Sequence, residues 1–270
     1  MLAAKRHEEI MRILTEEGCA DAAQLSEFFG VSAKTLRKDF DKLETMGLLE
    51  RVHGGAVLKN NGSNIFPIAE RKRQNLDDKK EIGTAALQFI EEGDTFILDG
   101  GTTTLELAKL LGDKRVTVLT NDLRIATELL YKENVTLLVT GGRLRREGAY
   151  TLLGRDAERY LDKYQVKKVF LGTSALDFRC GLTVFSLDEA EIKRAMIKSA
   201  REVICLADYS KFHKVALVSF CPLEKVGMLI TDKRISLDDW SYLEAKGIKV
   251  HPGDKPEDPS GIEERMRNDD

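Results

Sequence analysis

The chain has 270 residues, 42% hydrophobic and 32% charged, the balance of a globular protein with room for a core domain plus one small domain. Its net charge of −3 lacks the bulk basic signature of many nucleic-acid binders, and no run approaches the ~20 apolar residues of a membrane span. Lys5-Arg6-His7-Glu8-Glu9 breaks any signal-like apolar start, and the cysteines and histidines fall at no zinc spacing, so a cytoplasmic protein with no membrane contact, metal or cofactor is expected.

Residues 1–58 read as a small domain of three helices and a hairpin. Ile10, Ile13 and Leu14 share one face of a helix over 7–16, and Ala22–Phe29 forms a second with Leu25, Phe28 and Phe29 apolar. Gly30-Val31-Ser32 is a turn: Gly30 accepts a left-handed helix end, Val31 plugs the core and Ser32 caps the next helix. That third helix, over 33–46, turns Leu36, Phe40 and Leu43 inward and Lys34, Arg37, Lys38, Asp41 and Thr45 outward. After Gly47, Leu48–Val52 and Ala56–Leu58 make two short strands joined through His53-Gly54-Gly55, a wing whose backbone and Arg51 can reach phosphates or the minor groove.

This order is that of a winged helix-turn-helix, because the major groove admits one helix with donors on its free face and the preceding helix must set its angle. Candidate DNA contacts are Ser32, Lys34, Thr35, Arg37, Lys38, Arg51, His53, Gly54 and Gly55. The segment as a whole is slightly acidic, eight Lys or Arg against ten Asp or Glu, yet four of the eight cations lie between 34 and 42. A protein-docking module with a solvated charged face is the alternative.

Residues 59–67 read as a polar, turn-prone linker, 68–251 as an α/β domain, and 252–270 as a Pro-rich, charged tail expected to be disordered. The α/β zone opens with a helix on which Ile82, Ala85, Ala86, Phe89 and Ile90 share a face. Strands are expected at Thr95–Leu98, Val116–Leu119, Val135–Val139, Val169–Leu171, Val203–Ala207 and Met228–Ile230, with helices near Thr103–Leu111 and Leu123–Tyr131. Such alternation implies a mostly parallel sheet covered on both faces, with ligands bound beyond the carboxyl ends of its strands. Cys205, inside Val203–Ala207, reads as a buried structural thiol.

Four strand ends carry polar groups. Asp99-Gly100-Gly101-Thr102-Thr103-Thr104 opens a helix, so its backbone N–H groups and hydroxyls favour phosphate or carboxylate, although Gly-Thr turns also simply cap helices. Thr120-Asn121-Asp122, Gly141-Gly142-Arg143 and Asp208-Tyr209-Ser210-Lys211 end three more strands on the same rim. Within Asp188–Met196, the i,i+4 pair Glu189–Lys193 reads as a surface ion pair worth ~0.3–0.5 kcal/mol.

The stretch AAQLSEFFGVSAKTLRKDFDKLETMGLLERVHGGAV resembles the N-terminal signature of DeoR-type regulators, with Lys38 in place of the family's second arginine and Phe40 in place of a leucine. Lys38 keeps the charge but loses the bidentate fork. DGGTTTLELAKLL, LTNDLRIA, TGGRLRREGAYTLLG, FLGTSALDFRCGLT, EAEIKRAM and LADYSKF resemble that family's effector domain, extending the likeness over roughly residues 7 to 232. Family members usually carry Ala or Ser at Gly100 and Ser or His at Tyr209, whose larger ring would alter a ligand's fit.

The resemblance implies a sensor fold related to sugar-phosphate isomerases that binds a phosphorylated sugar without converting it. It implies effector contacts at Asp99, Gly101, Thr102, Thr103, Asn121, Gly142, Arg143, Asp208 and Lys211, and homo-oligomers, dimeric or tetrameric, on repeated or palindromic double-stranded operator DNA. The expected function is a repressor of carbohydrate metabolism, not an enzyme, with the helix around 68–91 transmitting the signal. An isomerase with a fused N-terminal module is the rival reading, Asp99, Asp208 and Lys211 supplying acid and base groups.

Overall fold

The computed structural model describes residues 2–17, 19–46, 48–52, 54–58, 74–146 and 150–252. The expected linker at 59–67, Gly47, His53 and the tail beyond Pro252 lie outside the described residues.

The N-terminal head comprises α1 (Ala3–Glu17), β1 (Cys19–Asp21), α2 (Ala22–Phe29), α3 (Ala33–Thr45), β2 (Leu49–Val52) and β3 (Gly55–Leu58). Its three strands form an antiparallel sheet in the order β1-β3-β2. Asp21 caps α2 by accepting from Ala23 N and Gln24 N at 2.8 and 2.9 Å, and Ser32 caps α3 by accepting from Thr35 N at 3.2 Å. Between them Gly30 adopts φ 62°, the left-handed end that the turn requires.

The buried stripe runs through Ile10, Leu14, Leu25, Phe29, Leu36, Phe40, Leu43, Leu49 and Ala56. Phe28 departs from expectation: it is 65% exposed, because Leu25 and Phe29 define the inward i,i+4 row of α2 and Phe28 stands beside it, edge-on to Phe29. The first helix also starts earlier than its apolar face indicates, and three-residue β1 is too short to show an alternating pattern.

A buried ion network locks α1 to α3. Asp39 accepts from Arg6 Nε at 2.6 Å, Arg6 Nη2 at 3.0 Å and His7 Nε2 at 2.7 Å, and all three residues are almost fully buried. Burial alone would push the Asp39 carboxyl up, but the hydrogen bonds from Arg6 and His7 outweigh it and hold the carboxyl below its ordinary range.

The second unit is a three-layer α/β/α domain. Its elements are α4 (Leu76–Leu87), β4 (Thr95–Leu98), α5 (Thr102–Lys109), β5 (Val116–Thr120), α6 (Leu123–Leu129), β6 (Val135–Val139), β7 (Arg143–Arg145), β8 (Thr151–Leu153) and α7 (Arg155–Leu161). The second half adds β9 (Val166–Gly172), β10 (Ala175–Asp177), β11 (Gly181–Val184), α8 (Leu187–Lys198), β12 (Ala200–Leu206), β13 (Val218–Cys221), β14 (Met228–Ile230), α9 (Leu237–Ala245) and β15 (Lys249–His251). Seven strands form one sheet in the order β15-β14-β12-β9-β4-β5-β6, every neighbouring pair parallel.

Successive residues of the central strands feed opposite cores. Phe96, Leu98, Val118, Phe170 and Ile204 pack with Ile82 and Ala86 of α4 and with α5. Ile97, Leu119, Val169 and Leu171 pack with Ala190, Ile192 and Met196 of α8 and with Trp240 and Leu243 of α9. Cys205 lies in this second core, where burial pushes its thiol up. A separate antiparallel sheet, β10-β11-β13, and the hairpin β7-β8 rise from the carboxyl side.

The head rests on this smaller sheet. Ala175, Phe185 and Ala216 join the head's own hydrophobic cluster, and α1 abuts α8. None of the described helices is long and apolar enough to cross a membrane.

Asp39→Asn is expected to destabilise the head by about 3–5 kcal/mol, the cost of leaving Arg6 buried without its counter-charge, measured by urea unfolding at pH 7. Because the folded Asp39 carboxyl titrates below its unfolded value, its contribution is present above the unfolded pKa and is lost as pH falls through the folded one. The variant's deficit therefore shrinks in acid.

Candidate functional site

Two surfaces concentrate the candidate residues. On the first, Lys34, Arg37 and Lys38 stand exposed along α3 and make no ion pair among the described residues. Two of the three acidic residues of the same helix are neutralised, Asp39 being turned inward on Arg6 and Asp41 paired with Arg51, while Glu44 accepts from the Arg51 backbone. The free face of α3 is thus more basic than the slightly acidic composition of the head indicates.

The wing is braced against this helix. Arg51 reaches Asp41 with its guanidinium while its backbone N–H donates to Glu44 Oε1 at 3.0 Å. Ala22 N donates to Gly54 O at 2.8 Å, and Gly55 pairs with Asp21 of β1. Ser32 and Thr35 share a hydroxyl–hydroxyl bond of 2.9 Å at the helix start. Arg51, Ser32 and Thr35 therefore have structural duties beside any contact they make, and His53 is outside the described residues.

The second surface is a pocket on the carboxyl rim, over β4 and β9. The β4–α5 loop supplies Gly100, Gly101, Thr102 and Thr103, the end of β9 supplies Gly172 and Thr173, α8 supplies Glu189 and Lys193, and the 3-10 turn Tyr209–Lys211 supplies Lys211. Gly101 caps α5 without any side-chain bond, so the first N–H groups of that helix face outward at its positive end.

Beneath this loop lies a buried ion pair. Lys193 Nζ contacts Asp99 Oδ2 and donates to Gly172 O at 3.0 Å, while Gly172 N donates to Asp99 Oδ2 at 2.9 Å. Both side chains are only 2% exposed. Burial pushes the Asp99 carboxyl up, opposed by the Lys193 ammonium and the Gly172 N–H. Glu189 Oε1 lies 3.7 Å from Lys193 Nζ, and Glu189 Oε2 accepts from Arg145 Nη1 at 3.0 Å.

The expectation of a surface pair at Glu189–Lys193 is thus overturned. Lys193 occupies the buried stripe of α8, in phase with Ala190 and Met196. A lysine at that phase was the available signal; Gly172 and Thr173, at the end of β9, lay within the family-like stretch FLGTSALDFRCGLT but were not singled out.

Of the nine expected effector contacts, Gly101, Thr102, Thr103 and Lys211 line the pocket, and Asp99 forms its floor through Lys193. Asn121 is a brace: its Oδ1 accepts from Gly100 N and its Nδ2 donates to Leu152 O, each at 3.2 Å. Asp208 caps the turn at Ser210 N (3.1 Å) and accepts from Asn75 Nδ2 at 3.0 Å. Gly142 and Arg143 come after β6, two strands from β4, where Arg143 is 69% exposed and pairs with Asp188 at 2.6 Å. Tyr209 is outside the lining; its hydroxyl donates to Asp239 Oδ2 at 2.8 Å.

Gly100 answers another departure. A Cβ there would collide with Thr151 Cγ2 and crowd Asp122, so glycine at 100 suits the threonine at 151 as its side chain is turned here.

A wing-braced basic helix joined to a parallel α/β unit is the architecture of a DNA-binding transcriptional regulator. The chain belongs to the DeoR family: residues 6–61 match the DeoR-like helix-turn-helix domain and residues 74–233 the DeoR C terminal sensor domain. It is 36% identical over 254 residues to the HTH-type transcriptional regulator GlpR of Haloferax volcanii, covering 94% of this chain and 99% of that protein. With the glycerol-3-phosphate regulon repressor of Escherichia coli it shares 31% identity over 234 residues, 86% of this chain and 92% of the relative. Among solved structures, ribose 5-phosphate isomerase A of Methanocaldococcus jannaschii aligns with a TM-score of 0.39 and 18% identity, over 52% of this chain and 56% of that one.

Lys193→Met is expected to lower stability by about 3–5 kcal/mol by stranding the Asp99 carboxylate. The double variant Asp99→Leu/Lys193→Met is expected to regain most of that loss, since neither charge is then buried alone. Guanidinium unfolding of the wild type, both single variants and the pair measures the coupling.

Proposed function

We propose that the protein represses a carbohydrate-metabolism operon and leaves its double-stranded operator when a phosphorylated sugar fills the β4–β9 pocket. The observation that carries this reading is the position of α8, which lines the pocket with Glu189 and Lys193 and also abuts α1 of the head. The uncapped start of α5, with Lys211 beside it, has the chemistry of a phosphate seat. The name of the Escherichia coli relative, a glycerol-3-phosphate regulon repressor, supports both the repression and the phosphorylated effector.

In this reading the head (1–58) and the sensor (68–251) work as separate domains in the cytoplasm. The protein pairs as a homo-oligomer on repeated half-sites, and Lys34, Arg37 and Lys38 enter the major groove. The effector acts only by binding more tightly to the arrangement that cannot hold DNA. Both α8 and α4 are placed to carry the signal: α4 packs on α5, and Asn75, just before it, bonds Asp208 on the rim.

The isomerase reading is weaker, because Asp99 is buried against Lys193 and Asp208 caps a turn. Pure protein incubated with ribose 5-phosphate is expected to show no turnover; a rate near ~1 s⁻¹ would reverse that judgement.

Arg37→Ala is expected to abolish the mobility shift of the protein's own promoter region while the thermal melt stays unchanged; a wild-type shift would remove α3 from the groove. Thr103→Val is expected to retain that shift and lose its release by phosphosugars, and full release would move the phosphate seat elsewhere.

A further inference from the structure

We infer that Glu189 determines the pocket's specificity by accepting hydrogen bonds from ligand hydroxyls, so that the site selects a phosphomonoester of a polyol or sugar against inorganic phosphate and bisphosphates. The inference rests on the reading of this pocket as a phosphosugar site and adds which side chain discriminates within it.

The electrostatics of the pocket raise the question. The start of α5, Lys211 and Lys193 all favour an anion, yet a carboxylate stands on the same wall. Glu189 is not needed to balance Lys193, whose ammonium already contacts Asp99 Oδ2 in the floor. It is instead held firmly in place: Arg145, reaching across from the β7–β8 hairpin, grips Oε2 at 3.0 Å, and both side chains are mostly buried. Lys193 lies 3.7 Å from Oε1 on the next turn of α8.

An ionised carboxylate is an acceptor with about four lone-pair positions and no donor. Toward the ionised oxygens of a phosphate it offers only repulsion, and hydrogen phosphate has its P–OH alone to set against that. Toward a neutral hydroxyl it offers a charge-assisted bond, stronger than that from a neutral acceptor. A ligand with its phosphate at Thr102–Thr103 and its hydroxyls toward α8 satisfies both ends of the pocket. A second phosphate, or a free phosphate ion, sets anionic oxygens against the Glu189 carboxylate where a sugar or polyol sets neutral hydroxyls, and this penalty is a means of specificity in its own right.

Titration calorimetry on the full-length protein tests the inference with inorganic phosphate, ribose 5-phosphate, fructose 6-phosphate, glycerol 3-phosphate and fructose 1,6-bisphosphate. Wild type is expected to bind at least one monophosphate better than inorganic phosphate. Glu189→Gln is expected to weaken that monophosphate at least about tenfold, while inorganic phosphate and the bisphosphate bind equally well or more tightly. Glu189→Asp, which keeps the charge and the fold but withdraws it by one methylene, is expected to weaken the monophosphate and leave inorganic phosphate unchanged.

An unchanged monophosphate affinity in Glu189→Gln, or an equal loss for monophosphate and inorganic phosphate, overturns the role of Glu189. Thr103→Val separates the two readings. If it abolishes all phosphate binding while Glu189→Gln leaves the ratio intact, the pocket stands and Glu189 falls. If wild type binds none of the five, both fall.

Discussion

The sensor is organised around the ion pair between Lys193 and Asp99. It bolts α8 to the end of β4, takes in both backbone groups of Gly172 at the end of β9, and so joins three elements under one loop. Such a pair is a poor source of net stability, since desolvating two charges offsets most of their attraction. What it supplies is geometry. Either charge alone would be buried without its partner, so the pair ties the position of α8 to the end of β4 beside the α5 start. That position is shared with the head, because α1 abuts the same helix and Phe185, just before it, sits in the head's hydrophobic cluster.

The head solves a related problem with the opposite sign. A reading helix needs positive charge outward, while α3 also carries Asp39 and Asp41. One is withdrawn into a buried bond with Arg6 and His7, and the other is used to hold Arg51 of the wing. Composition counts all these charges alike; the fold buries one of them and offsets another with an arginine of the wing. The net acidity of residues 1–58 was therefore a weak guide to what the surface of α3 presents.

Much of the architecture was legible because it is periodic. Phe96, Ile97 and Leu98 alternate between two covered faces, and an apolar run between Gly-containing turns implies that double burial. The cap at Ser32 and the loop at Gly101–Thr103 were legible for a similar reason, each being a local device. What was not legible depends on distant partners. Asn121 and Asp208 read as ligand groups on a strand rim, and only the fold shows that they also brace Gly100, Leu152 and Asn75. Lys193 looks like a surface lysine until Asp99, 94 positions away, is brought beneath it. The strands β10, β11 and β13 are three or four residues long, too short for a pattern to rise above composition.

The close approach of Gly100 to Thr151 has a consequence for how such sensors diversify. A hairpin strand outside the pocket lining limits the size of a residue in the loop that lines it, so the loop is not a portable cassette. Grafting in a relative's version with alanine or serine at position 100 would drive its Cβ into the threonine methyl, unless residue 151 shrank in the same exchange. A Cβ at position 100 thus calls for a smaller or turned side chain at 151, whereas a smaller residue at 151 leaves glycine at 100 undisturbed.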